Sequence, residues 1–410
     1  MSNPKILSPQ TEAICGFYDP MLSEGAIKPP YFGSSTFVAR TAEELAHSFR
    51  QAYGIGQDPE NPDILLYSRV VNPNLEIFER RFARFEQAEE AAVFSSGMAA
   101  ISTTLFALTK PGDTVLYSAP VYGGTDYLLT KILPSWGVKV RSFPIESDLS
   151  EIRSLLEQNH QTKVIFMESP ANPTLKLADI EGICSLSRAF NPKIKIVVDN
   201  TVLGPIFQQV LPLGADLAVF SATKMIGGHS DLVAGIAAGD KSTMTLLKGH
   251  RTVFGTINDA HAAWLLTRSL ETLQIRAQAA QKNAQHIVSF LSEHAKVKEI
   301  LYPGLDQDKS QLERYQNQCQ GSGSLLSFRI DGGLTQAYQF LNALKIVHLA
   351  VSLGGTESLA EHPQTHTHSD VGPKDQEQFG ITTDLIRLSI GIEDTNDLIN
   401  DLIQALNAVQ

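Results

Sequence analysis

Lys224 sits in Ser221-Ala222-Thr223-Lys224, directly after the apolar run Leu217-Ala218-Val219-Phe220. A lysine in that place is either a solvated stop signal or a reactive amine. In a low-dielectric pocket an amine loses its proton more readily and attacks carbonyls. The hydroxyls of Ser221 and Thr223, with nearby backbone N–H groups, offer half of an anion site. Asp199 closes a second apolar run, IKIVVD. A carboxylate at the end of a buried strand is costly unless paired. One partner that explains it is a protonated pyridine nitrogen. A carbonyl-capturing lysine plus an aspartate that keeps a pyridine ring protonated is what proteins contribute to pyridoxal 5'-phosphate (PLP) chemistry.

Other residues carry weaker signals. Ser95-Ser96-Gly97-Met98-Ala99-Ala100 precedes an apolar helical stretch. A glycine followed by free N–H groups at a helix start is a phosphate cradle. Tyr122, in VYGGT, suits stacking on a cofactor ring, or a half-buried structural position. Arg387 lies inside the apolar run LIRLSIG, and a buried arginine demands an anion. A substrate carboxylate or an internal salt bridge would satisfy it. His362, His366 and His368 fall close together in HPQTHTH, and His229 stands apart. No cysteine or carboxylate pattern completes a metal site there and HExxH is absent, so capping and hydrogen bonding on a loop is the simpler reading. Cys15, Cys184 and Cys319 are too scattered for a disulfide framework or a CxxC site.

These residues need elements to hold them. The chain has 410 residues and a net charge of −11 with no basic block, which argues for more than one domain and against nucleic acid or anionic membrane as partners. No apolar run reaches the roughly 20 residues of a membrane span, and the first residues lack the apolar segment of a secretory leader. A cytoplasmic location is expected. DTVLYSAP (113–120), TKVIFMESP (162–170), IKIVVDNT (194–201) and DLAVFSAT (216–223) read as short buried strands with room for crossovers between them. That pattern predicts an α/β fold, a mostly parallel sheet covered on both faces, with ligands bound beyond the carboxyl ends of the strands. Residues 1–66 read as an irregular extended arm lying against a neighbouring subunit, 67–262 as the large domain and 263–410 as a smaller α+β domain. Asn72-Pro73-Asn74 marks a helix start.

The motifs together resemble those of the Cys/Met-metabolism family of PLP enzymes. The carriers are YSRVVNP (67–73), SSGMAA (95–100), VYGGT (121–125), ESPANPT (168–174), VVDNT (197–201), SATKMIGGHSD (221–231), VSLGGTESL (351–359) and RLSIGIED (387–394). The resemblance implies an aminotransferase-like (fold type I) large domain. It implies that Lys224 carries PLP and shuttles protons, Asp199 pairs the pyridinium and Tyr122 stacks on the ring. Gly97, Met98, Ser221 and Thr223 would hold the phosphate, with Tyr67 and Arg69 reaching it from the neighbouring subunit of a homotetramer built of dimers. Asn172, Ser352 and Arg387 would orient the substrate carboxylate. Val351 before Ser352 is as in some members of the family, whereas Gly124 in the motif after the stacking tyrosine, Met225 after Lys224 and a longer segment, roughly 52–66, before YSR depart from family habit. An apolar Val351 suits a short thioether tail.

The expected activity is cleavage of a C–S bond in a sulfur amino acid, by γ-elimination on methionine or a related thioether. Cystathionine β- or γ-cleavage and γ-replacement on a homoserine ester are the alternatives within the family. Outside it stand a metal-dependent hydrolase built on HPQTHTH and a non-catalytic PLP-binding protein.

Overall fold

The computed structural model describes residues 7–52, 65–305, 308–369 and 371–410. The large sheet has seven strands: β1 (Glu90–Phe94), β2 (Thr114–Ala119), β3 (Lys139–Pro144), β4 (Thr162–Glu168), β5 (Lys195–Asp199), β6 (Leu217–Ser221) and β7 (Gly235–Gly239). Their order is β1-β7-β6-β5-β4-β2-β3. The run β6-β5-β4-β2-β3 is parallel, and β7 is antiparallel to both neighbours. The four sequence-predicted strands are β2, β4, β5 and β6.

Alternate residues of one strand feed opposite cores, as a period of two requires. Leu116, Ile165, Ile196, Val198 and Phe220 pack with Phe78, Phe82 and Leu266 on one face. Val115, Phe166, Val197 and Val219 pack with Ile101, Leu105 and Leu247 on the other. Both faces are therefore apolar, and the runs show no polar alternation.

A second sheet follows, from β8 (Val297–Leu301), β9 (Leu325–Ile330), β10 (His348–Leu349), β11 (Leu359–Glu361) and β12 (Leu385–Ser389), in the order β10-β11-β12-β9-β8. The helix Leu273–Ser292 serves both cores: Leu273 and Ala277 pack with the large sheet, and Ala284, Ile287 and Leu291 with the small one.

The stretch before residue 67 is not irregular throughout. It carries a helix at Pro9–Cys15, capped by Ser8, and an amphipathic helix at Ala42–Ala52. The Pro and Gly residues that suggested an arm lie between these helices or fall in 53–64, outside the described residues. Asn72 does cap a helix, Pro73–Phe85, through its side chain to Asn74 N.

A buried ion pair ties that helix to β1. Arg251 Nη1 reaches Glu79 Oε1 at 2.5 Å and donates to Val93 O at 2.8 Å, while Val93 N donates to the same Glu79 oxygen at 2.9 Å. Glu79→Ala would leave a buried guanidinium uncompensated, so it is expected to lower stability by about 3–5 kcal/mol in urea unfolding. Replacing both partners with apolar residues, Glu79→Leu with Arg251→Met, is expected to recover most of that loss.

Candidate active site at the strand ends

The carboxyl ends of β1, β2, β4, β5 and β6 converge on one cavity of about 810 Å³. Gly97, Met98, Tyr122, Asn172, Asp199, Ser221, Thr223, Lys224, Val351, Ser352 and Arg387 all line it. Tyr67 and Arg69 do not. Arg69 Nη1 donates to Thr252 O at 2.7 Å, and its guanidinium lies 5.7 Å from the Tyr67 ring centroid.

The glycine-led turn after β1 approaches its neighbours too closely for a side chain. A Cβ on Gly97 would lie 2.8 Å from Ser221 Cβ, and one on Gly235 would lie 2.0 Å from Ser96 O. The helix Gly97–Leu108 starts here, capped by Ser96, whose Oγ accepts from Ala99 N at 3.0 Å. Its first amides therefore stand beside Ser221, at the positive end of a helix dipole, in a cavity that Thr223 also lines.

Asp199 and Glu168 occupy paired register positions on adjacent parallel strands. Both are buried, and among the described residues neither makes an ion pair. Burial pushes both carboxyls above the usual range, and the charge of Asp199 adds to the rise at Glu168. Thr201 donates to Asp199 Oδ1 from its hydroxyl at 2.5 Å and from its amide at 3.0 Å. Glu168 accepts Tyr122 N at 2.7 Å on Oε2 and Asn172 N at 3.0 Å on Oε1. One carboxylate thus fixes the loops that present Tyr122 and Asn172.

Lys224 Nζ donates to Ser352 Oγ at 2.8 Å. Burial, and then the charge of Arg387, lowers this amine to about 8. Ser352 is held at φ 102, a strained conformation for a residue with a side chain. The strain aims its hydroxyl at Lys224 and its carbonyl at Arg387, whose Nη2 donates to it at 2.8 Å. Arg387 Nη1 meets Glu361 Oε1 at 2.6 Å and Asn172 Oδ1 at 3.1 Å. The internal salt bridge is therefore present, and among the described residues the buried Arg387 Nε still lacks a hydrogen-bond partner.

In the sequence Glu168 and Thr201 stand only within ESPANPT and VVDNT, without roles of their own, and Glu361 carries no signal. Glu361 faces Arg387 only through the antiparallel register of β11 and β12, which spacing along the chain does not reveal. Met225 is buried in the main core and does not line the cavity. At position 124 a Cβ would lie 2.8 Å from the Tyr122 ring, so glycine leaves that ring its room. In HPQTHTH, His362 bridges Thr383 O at 3.0 Å and Thr365 Oγ1 at 2.9 Å. Among the described residues no group of three or more His, Cys, Asp or Glu is arranged to hold a metal ion.

The Cys/Met metabolism PLP-dependent enzyme model matches residues 10–407. L-methionine gamma-lyase of Pseudomonas putida is 38% identical over 401 residues, 97% of each chain. Cystathionine gamma-synthase of Mycobacterium leprae is 37% identical over 398 residues, 97% of this chain and 96% of that one. The crystal structure of metB from Corynebacterium glutamicum superposes with a TM-score of 0.89 at 35% identity, covering 99% of both chains. The chain belongs to the Cys/Met metabolism PLP-dependent enzyme family.

Both raised carboxyls hold protons in the folded, cofactor-free protein that the unfolded chain releases above about pH 4. Their stabilising contribution is complete below that pH and is lost as pH rises through the raised values. The cofactor-free protein is therefore expected to lose stability to urea between about pH 5 and pH 8, and Glu168→Gln to flatten that fall. Identical slopes in the two proteins would refute the assignment.

Proposed function

We propose that this member of the PLP family is a C–S lyase that removes the γ-substituent of methionine or a related thioether amino acid. The carrying observation is Lys224 and Asp199 lining one cavity, the first a partly buried amine of lowered basicity, the second a buried carboxylate without a basic partner among the described residues. The residues present fit PLP. Thr201 occupies Asp199 Oδ1 twice, so Oδ2 is the oxygen left for a protonated ring nitrogen. The close seat of Gly97 on Ser221 suits a phosphate. In this reading Lys224, Asp199, Tyr122, Gly97, Met98, Ser221 and Thr223 hold the cofactor.

Bound PLP supplies an electron sink for the charge left when a bond at the amino acid's Cα breaks. The protein's part is positioning and proton transfer. Arg387, Asn172 and Ser352 hold the substrate carboxylate, with Glu361 fixing the arginine. Lys224, its basicity lowered by burial, takes the α-proton and returns protons later in the cycle. Asp199 keeps the ring nitrogen protonated. Tyr122 covers the ring and stands by the departing sulfur. Val351 and Leu349 give the tail region an apolar wall. The balanced reaction takes a thioether amino acid and water to a thiol, ammonia and a 2-oxo acid.

Tyr67 is partly exposed and neither it nor Arg69 lines its own chain's cavity, which supports a homotetramer in which the pair completes a neighbour's phosphate site. No described helix is long and apolar enough to cross a membrane, and we place the enzyme in the cytoplasm.

Lys224→Ala is expected to abolish turnover and the visible band of the lysine-bound cofactor, measured on purified protein given PLP. Retained turnover would refute the role. Mixing Arg69→Ala with Lys224→Ala subunits is expected to restore part of the activity lost in each, because each hybrid interface rebuilds one intact site. Product analysis separates the reactions: 2-oxobutyrate reports γ-elimination, pyruvate reports β-elimination, and product only with added thiol reports replacement.

A further inference from the structure

One histidine of HPQTHTH belongs to the cavity. His366 lines it with Lys224, Val351 and Arg387. Its Nδ1 accepts the backbone N–H of His362 at 3.2 Å. A backbone amide can only donate, so Nδ1 carries no proton and the neutral ring bears it on Nε2. His366 is exposed, so that proton is open to solvent, and among the described residues no acceptor takes it. The neighbouring hydroxyl is engaged elsewhere, since Thr367 Oγ1 donates to Glu361 Oε1 at 2.9 Å. Leu349, Ala350, Val351 and Val233 supply apolar lining to the same cavity. A single donor beside an apolar surface is how a pocket fixes the orientation of a ligand.

We infer that His366 selects the γ-substituent: its Nε2–H recognises an acceptor oxygen on the substrate's tail, which a bare alkyl sulfide lacks. The inference rests on the proposed reading that the cavity takes a γ-substituted amino acid, and among the thioethers of that reading it favours one longer than methionine. Two substrate types present such an oxygen, the carbonyl of a homoserine ester and the distal carboxylate of a longer thioether. A ligand whose tail covers His366 without accepting its proton takes the donor from solvent and leaves it unpaired, so the site discriminates against that ligand.

The test compares wild-type holoenzyme with His366→Met, which keeps the bulk and removes the donor, and His366→Gln, which restores one. Dissociation constants for 2-aminoadipate, whose side chain ends in a carboxylate, and norleucine, whose side chain is apolar, are read from the visible absorbance of the bound cofactor. The preference for 2-aminoadipate over norleucine is expected to fall about tenfold in His366→Met and to recover in His366→Gln. An unchanged preference, or an equal loss on both ligands, overturns the inference. Turnover of O-acetylhomoserine and cystathionine then identifies the source of the oxygen. The substrate whose kcat/KM falls in His366→Met relative to methionine carries the recognised group. Absence of turnover on all three by the wild type would overturn the lyase reading alone, and the binding preference would still decide the role of His366.

Discussion

Two carboxylates lie side by side at the buried ends of β4 and β5, and among the described residues neither is met by a cation. Such a pair is unfavourable in isolation, because desolvation and mutual repulsion both oppose its charge. Much of the surrounding site reads as accommodation to that pair. Thr201 satisfies one oxygen of Asp199 and anchors Ser221 N at 2.8 Å, linking β5 to β6. Glu168 gathers the loops after β2 and β4 by accepting one amide from each. The proposed lysine chemistry and carboxylate recognition depend on the loops these bonds hold. A pyridinium in the cavity is the ligand whose charge relieves Asp199 directly.

The second centre joins the two sheets. Arg387 comes from β12 of the small sheet and reaches Asn172, which follows β4 of the large one. Ser352, held against its backbone preference, links Arg387 to Lys224. The distance between the Arg387 guanidinium and the Lys224 amine is thus set by one strained residue and one buried ion pair. Glu361 keeps Arg387 oriented and leaves its Nε for a further acceptor.

Much of this was legible in the chain. Runs such as IKIVVD and LAVF identify central strands because both faces are covered and no polar alternation interrupts them. Ligand sites beyond parallel strand ends then direct attention to Asp199 and Lys224. Register was not legible. Glu168 and Glu361 matter because of which residue lies across from them, and pairing between strands is a property of the sheet. β1, β3 and β7 escaped notice: β7 is Gly/Ala-rich, and β3 is largely exposed with basic residues. The helices before residue 67 were hidden by the prolines and glycines around them. Met225 looked like a functional departure beside the lysine. It is a core residue, and its neighbourhood to Lys224 in sequence says nothing about which way it points.

The central claim is that Asp199 serves the reaction by keeping a ring nitrogen protonated. The most direct measurement is exchange of the substrate's α-proton in deuterated water, followed by NMR on holoenzyme of the wild type and Asp199→Asn at equal cofactor occupancy. The account predicts that exchange slows by at least about a hundredfold in the variant while the cofactor stays attached to Lys224. Exchange at the wild-type rate would contradict it.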